Sequence, residues 1–180
     1  NIIWNIRYSN FEIRKAKLTT ILIIKLLAKL SFLIPQLIVI VSKKAKKIYE
    51  AEGYDKKKLK FIPNGYDLSF LKPSKFQKKI FKEKNKIKKQ IPLIGNVARY
   101  DPKKDHLNLL NAISIIRSKN VNFFCFLVGS NIYKNNIRLV YEIKRLKLSK
   151  YIKLLGQNDN ILQVMSGIDI YVQSSSYGEG

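Results

Sequence analysis

The side chains best suited to chemistry in this sequence are two cations, Arg99 and Lys104, and a carboxylate, Glu179. Arg99 and Lys104 flank a turn carrying Asp101 and Pro102. Ahead of them lies the apolar run Ile91 to Val97, long enough for a buried strand. Behind them Leu107, Leu109, Leu110, Ala112, Ile113, Ile115 and Ile116 recur at helical spacing, so the pattern predicts a helix over 104–118. A strand whose carboxyl end delivers an Arg and a Lys just before a helix suits a bound anion, because ligands of open α/β sheets sit at the carboxyl ends of the strands. Two cations beside a helix N-terminus match a diphosphate. On spacing alone the same pair reads equally well as two more solvated cations in a very basic chain.

The elements that must position these groups follow from the remaining periodicity. Residues 1–7 predict a strand, 18–33 a helix, 37–41 a buried strand ending at Ser42, and 43–51 a helix that Ser42 caps and Gly53 closes. Residues 58–63 predict another strand, ending in the turn Pro63-Asn64-Gly65. The Lys-rich stretch 71–90, with Phe76, Ile80, Phe81 and Ile87 interleaved, reads as an exposed amphipathic segment and a domain boundary. Beyond the helix at 104–118 come a strand at 121–128 ending in Gly129 and Ser130, a helix at 135–148, a strand at 151–155 ending in Gly156, a short helix at 160–167, and a strand at 168–173 running into Ser174. Strands alternating with helices imply a parallel α/β sheet. Its strand ends collect Arg99, Lys104, Gly129, Gly156, Ser174 and Glu179: cations for phosphate, small residues for close backbone approach, and a carboxylate for hydroxyl groups.

Composition narrows the classes. The chain has 180 residues and a formal charge of +23, with one His and one Cys. The charge fits nucleic acid, an anionic membrane surface or an acidic substrate, and it also fits the codon bias that a Lys-, Ile- and Asn-rich chain suggests. A single cysteine excludes an intramolecular disulfide and points to a reducing compartment. No metal-ligand cluster is visible. Residues 18–41 are long enough to span a bilayer, but Lys25, Lys29 and Pro35 argue against it. No small-residue cleavage site marks a signal peptide. The chain starts without Met and stops just after Gly178 and Glu179, so it reads as an internal stretch of a longer protein.

IPNGYDLSFLKP, VARYDPKKDH, FLVG, KLLGQNDNI and DIYVQSSSYGEG, in this order and spacing, resemble glycosyltransferase family 4, the retaining enzymes of GT-B fold. The resemblance extends to WNIRYSNF, the KLTT helix and the LIVIVS strand, which look like the end of that family's N-terminal domain. It implies an α/β fold of two Rossmann-like domains with parallel sheets. Residues 1–62 would be the end of the N-terminal, acceptor-side domain, 63–90 an interdomain linker and basic amphipathic segment, and 91–180 the incomplete nucleotide-sugar-binding domain. Arg99 and Lys104 would bind the donor diphosphate and stabilise the leaving group, which would explain independence of a metal. Glu179 matches the first Glu of the family's E-x7-E motif and would face the donor sugar. Gly129, Gly156, Asn158, Ser174 and Gly178 would be donor-binding positions, with the loop after Gly156 framing the base.

The function so implied is transfer of a sugar from a nucleoside-diphosphate sugar to a hydroxyl acceptor, either a glycan or a lipid-linked molecule, in cell-surface polysaccharide biosynthesis. No cofactor and no nucleic-acid partner are expected, and the location expected is cytoplasmic, peripheral on the inner face of the plasma membrane. Lys25, Lys29, Lys43, Lys44, Lys46 and Lys47 could supply a surface for anionic lipid, or form an ordinary solvated face. The family's N-terminal glycine-rich loop and sugar-facing His have no counterpart in this sequence, so these residues alone are expected to be inactive. His106, at the start of a helix, and Cys125 and Tyr177 are expected to be packing residues. Two alternatives stay in view: a nucleic-acid-binding α/β domain, which would interleave aromatics with its basic patch, and a sugar-nucleotide epimerase of similar architecture.

Overall fold

The computed structural model describes residues 1–7, 18–69, 72, 74–87 and 90–176. They form two compact units, which divide between Tyr66 and Asp67. The first is a three-stranded parallel sheet in the order β1-β2-β3, with β1 at Ile3–Ile6, β2 at Leu37–Ile40 and β3 at Leu59–Phe61. Helices α1 (Leu18–Leu30) and α2 (Lys43–Ala51) make its two crossovers. Because both crossovers step the same way across the sheet, right-handed connections put both helices on one face. Ile38, Ile40 and Leu59 from the strands meet Ile24, Ala28, Ala45 and Tyr49 from the helices there. Ser42 caps α2, its hydroxyl accepting from the Ala45 N–H at 3.0 Å, as the sequence predicts.

The second unit holds Arg99, Lys104, Gly129, Gly156, Asn158 and Ser174 of the predicted site. Its strands β4 (Leu93–Val97), β5 (Phe124–Val128), β6 (Ile152–Gly156) and β7 (Ile170–Tyr171) are parallel in the order β6-β5-β4-β7. Helices α4 (His106–Ser118) and α5 (Ile137–Arg145) cover one face, meeting Ile94, Cys125 and Leu127. Helices α3 (Lys75–Lys84) and α6 (Ile161–Gly167) cover the other, where Phe81 and Val164 meet Leu93, Phe126 and Val128. Along β5 the buried side chains alternate between the two faces, as a sheet covered on both sides requires. From β4 the chain steps outward through α4, β5, α5 and β6, then returns through α6 to the far side of β4. The order therefore reverses at β4, which makes its carboxyl end a topological switch point.

Three expectations are corrected. The Lys-rich stretch read as exposed carries α3, and Phe81 is only 2% exposed, its ring 4.8 Å from that of Phe126. A single apolar stripe was enough to dock the helix even though Phe76 stays in solvent. The helix expected from residue 104 begins at His106, because Asp105 takes a left-handed conformation (φ 45°, ψ 54°) after a separate 3-10 turn at Pro102–Lys104. The last strand is Ile170–Tyr171 only. Ile168 caps α6 and lies over Gly95, where an added Cβ would stand 2.1 Å from the Ile168 Cδ1.

Candidate functional site

All four strands of the second unit end on the same edge, and their loops are knit together by the backbone. Beyond β4 and β5 the pairing continues: Ala98 N–H donates to the Val128 carbonyl at 2.9 Å, and Tyr100 N–H to the Ser130 carbonyl at 2.8 Å. Gly129 N–H donates to the Gly156 carbonyl at 2.7 Å, which joins β5 to β6. Gly129 has φ +145°, and a Cβ there would fall 2.2 Å from the Ala98 carbonyl oxygen. Only glycine permits this approach. The β4 loop is thus held against the β5 loop just where it carries Arg99.

The Arg99 guanidinium lies at this edge, 63% exposed, with its Nε 3.3 Å from the Asp101 carboxylate. Asp101 also accepts the Lys103 N–H at 2.9 Å and so caps the 3-10 turn. That bond, and then the nearby Arg99 charge, hold the Asp101 carboxyl below the usual carboxylate range. Lys104 ends the turn, and its carbonyl accepts the Ser174 hydroxyl at 2.7 Å. The Ser176 N–H donates to the Lys103 carbonyl at 3.0 Å. The loops after β4 and β7 are therefore fastened to one another across the switch point.

Gly156, φ +70°, lies over Tyr133: an added Cβ would be 2.1 Å from the ring. The Tyr133 hydroxyl accepts the Gln157 N–H at 3.1 Å, and the Ser130 hydroxyl donates to the Gln157 side-chain oxygen at 3.0 Å. Asn158 turns its Oδ1 to its own loop, accepting the Asn160 N–H at 2.9 Å. The structure thus brings Arg99, Lys104, Gly129, Gly156 and Ser174 to one edge and gives Asn158 a turn to hold. Gly178 and Glu179 lie outside the described residues, as does Tyr177. Tyr133 is a part of the edge that sequence reasoning missed, and Ser130, Gln157 and Ser176, though lying at strand ends or in loops it pointed to, were not singled out as site residues. Only their place just after a strand end could have flagged them.

His106 is 2% exposed, opens α4, and has a ring centroid 5.4 Å from that of Tyr100. Neither ring nitrogen has a hydrogen-bond partner among the described residues. Burial lowers its pKa, so the imidazole is neutral near pH 7. It packs, and among the described residues no carboxylate is hydrogen-bonded to it as a general base would need. Cys125 is fully buried within β5, and burial pushes its thiol up to about 12, which makes it inert. Among the described residues no three His, Cys, Asp or Glu side chains converge as metal ligands. What this edge offers chemically is fixed positive charge and close backbone approach at the end of a parallel sheet.

Comparison with known proteins gives this arrangement a context. The family model described as glycosyl transferases group 1 matches residues 77–180. EpsF of Bacillus subtilis (strain 168), a glycosyltransferase by name, is 24% identical over 130 residues, covering 72% of this chain and 33% of its own. The crystal structure of Anabaena Alr3699/HepE in complex with UDP superposes with a TM-score of 0.81 at 20% identity, covering 97% of this chain and 47% of that one. Sucrose-phosphate synthase from Thermosynechococcus elongatus gives 0.75 at 17% identity, covering 98% and 46%. These likenesses establish the fold, and the chain spans a third to a half of the length of these relatives.

Proposed function

The chain belongs to the glycosyl transferases group 1 family, and on that premise we propose that the complete protein moves a sugar from a nucleoside-diphosphate sugar to a hydroxyl acceptor. The observation that carries the reading is the switch-point edge, where Arg99 and the Lys104 turn are held beside glycines that admit close backbone approach. As the bond between the anomeric carbon and the diphosphate breaks, negative charge grows on the leaving oxygen. Arg99 and Lys104 stabilise that charge and do the work a divalent cation would otherwise do. Anabaena HepE, described in complex with UDP and with UDP-glucose, supports a uridine nucleotide as the first donor to try. Glu179 is assigned to the donor sugar, and the transfer retains anomeric configuration. The family match favours neither nucleic-acid binding nor epimerisation.

The acceptor we assign is a glycan or lipid-linked molecule of a cell-surface polysaccharide, met at an anionic membrane surface on the cytoplasmic side. Exposed Leu18, Leu22, Ile23 and Leu26 on α1, next to Lys25 and Lys29, support that contact. No helix among the described residues is long and apolar enough to cross a membrane. Flotation with phosphatidylglycerol vesicles tests the contact, and absence of the protein from the floated fraction at low salt would remove it.

The test of function is release of nucleoside diphosphate by the complete protein from UDP-, GDP- and ADP-sugars, with and without EDTA. We expect turnover of one donor class, unchanged by EDTA. No release and no binding of any of the three diphosphates would end the reading.

A further inference from the structure

We propose that Ser174 is a positioning residue for the diphosphate site and acts through Lys104, rather than by touching the donor. This inference rests on the proposed function above and names a part of its machinery. The carbonyls of the 3-10 turn each have a distinct partner. Within the turn, Asp101 accepts from Lys104 N–H and Pro102 from Asp105 N–H, and the α4 ladder starts with the Asp105 carbonyl accepting from Leu109. The Lys103 and Lys104 carbonyls fall between these two sets, and both are served by the loop after β7: Lys103 by the Ser176 N–H, Lys104 by the Ser174 hydroxyl.

A serine hydroxyl has one proton to donate. At 2.7 Å from a carbonyl oxygen, which can only accept, that proton belongs to Lys104. Diphosphate oxygens are acceptors too, so in this arrangement Ser174 has nothing to donate to the donor's phosphates. What it does instead is fix the peptide that follows Lys104. The next residue, Asp105, is a non-glycine residue at φ 45°, and such a conformation persists only where its surroundings hold it. The clasp joins residues 70 apart in sequence and spans the two loops on either side of the switch point. Releasing it frees the backbone that carries Lys104, and small misplacements of a charge stabiliser are costly to turnover.

The experiment is a double-mutant cycle in the complete protein: Ser174→Ala, Lys104→Ala and the double variant, with Ser174→Thr as the conservative rescue. Turnover is read with the best donor of the three classes above, and diphosphate affinity by titration with UDP, GDP or ADP to match. We expect Ser174→Ala to lower kcat roughly tenfold. The double variant should be no worse than Lys104→Ala within about twofold, since a residue acting through another loses its effect once that other is gone. Ser174→Thr, which keeps the hydroxyl, should recover most of the loss. Effects of Ser174→Ala and Lys104→Ala that multiply would overturn the inference, as would an unaffected Ser174→Ala. If Lys104→Ala itself turns over like wild type, the diphosphate assignment fails first, and that outcome is distinguishable from failure of the clasp alone.

Discussion

At the residue scale, the site edge depends on side chains whose surroundings leave them one role. Arg99 lies in solvent beside Asp101, and Lys104 is placed through its own carbonyl. His106 is the converse, a titratable ring made inert by burial. Its folded pKa is lowered, so the unfolded chain takes up the proton first as pH falls. Above the ordinary histidine value of about 6.5 the residue contributes nothing to pH dependence. Below it, stability declines, and it goes on declining until pH passes the lowered folded pKa. We expect His106→Leu to remove this acid-side loss from a urea titration between about pH 7 and 5. Because it deletes a buried unpaired polar group, it should cost less than about 1 kcal/mol at pH 7. An unchanged acid limb in the variant would show that another group titrates there.

At the element scale, the junction between β4 and α4 matters most. Asp105 serves two ends at once. Its backbone closes the 3-10 turn in the left-handed region, and its side chain caps α4 by accepting the Asn108 N–H at 3.2 Å. Few residues meet both demands, asparagine being the nearest substitute. Alanine loses the cap and keeps the strain, so Asp105→Ala should destabilise by roughly 1–2 kcal/mol. Glycine loses the same cap but adopts the conformation freely, so Asp105→Gly should stay within about 0.5 kcal/mol of wild type. Denaturant midpoints of the two variants check this, and equal losses would mean that the left-handed geometry carries no cost here. At this scale most elements were legible. The run Ile91 to Val97 and the apolar spacing after Leu107 fixed a strand, a turn and a helix, and with them the place of Arg99. What could not be read was the break at Asp105, because aspartate visits the left-handed region only occasionally and its local pattern alone does not say when.

At the scale of the whole molecule, the switch point of the second unit places the candidate chemistry. Alternating strands and helices announced a parallel sheet, but strand order decides where a ligand sits, and no periodicity encodes it. That β7 returns beside β4 rests on long-range packing, with Phe81 of α3 and Val164 of α6 closing the face opposite α4 and α5. The Ser174 clasp and the seat of Gly156 on Tyr133 went unread for the same reason, their partners being distant in sequence or hidden under a neighbouring loop. The resemblance carried by VARYDPKKDH and DIYVQSSSYGEG supplied the order of the motifs, and the fold supplies their meeting. This meeting is proposed to form a diphosphate site. The most direct measurement is kcat of the complete protein with its nucleoside-diphosphate sugar for wild type, Arg99→Ala and Lys104→Ala. Each variant should keep its folded stability and lose about two orders of magnitude in kcat, the scale of removing a transition-state charge stabiliser. Wild-type rates in both variants would contradict the claim.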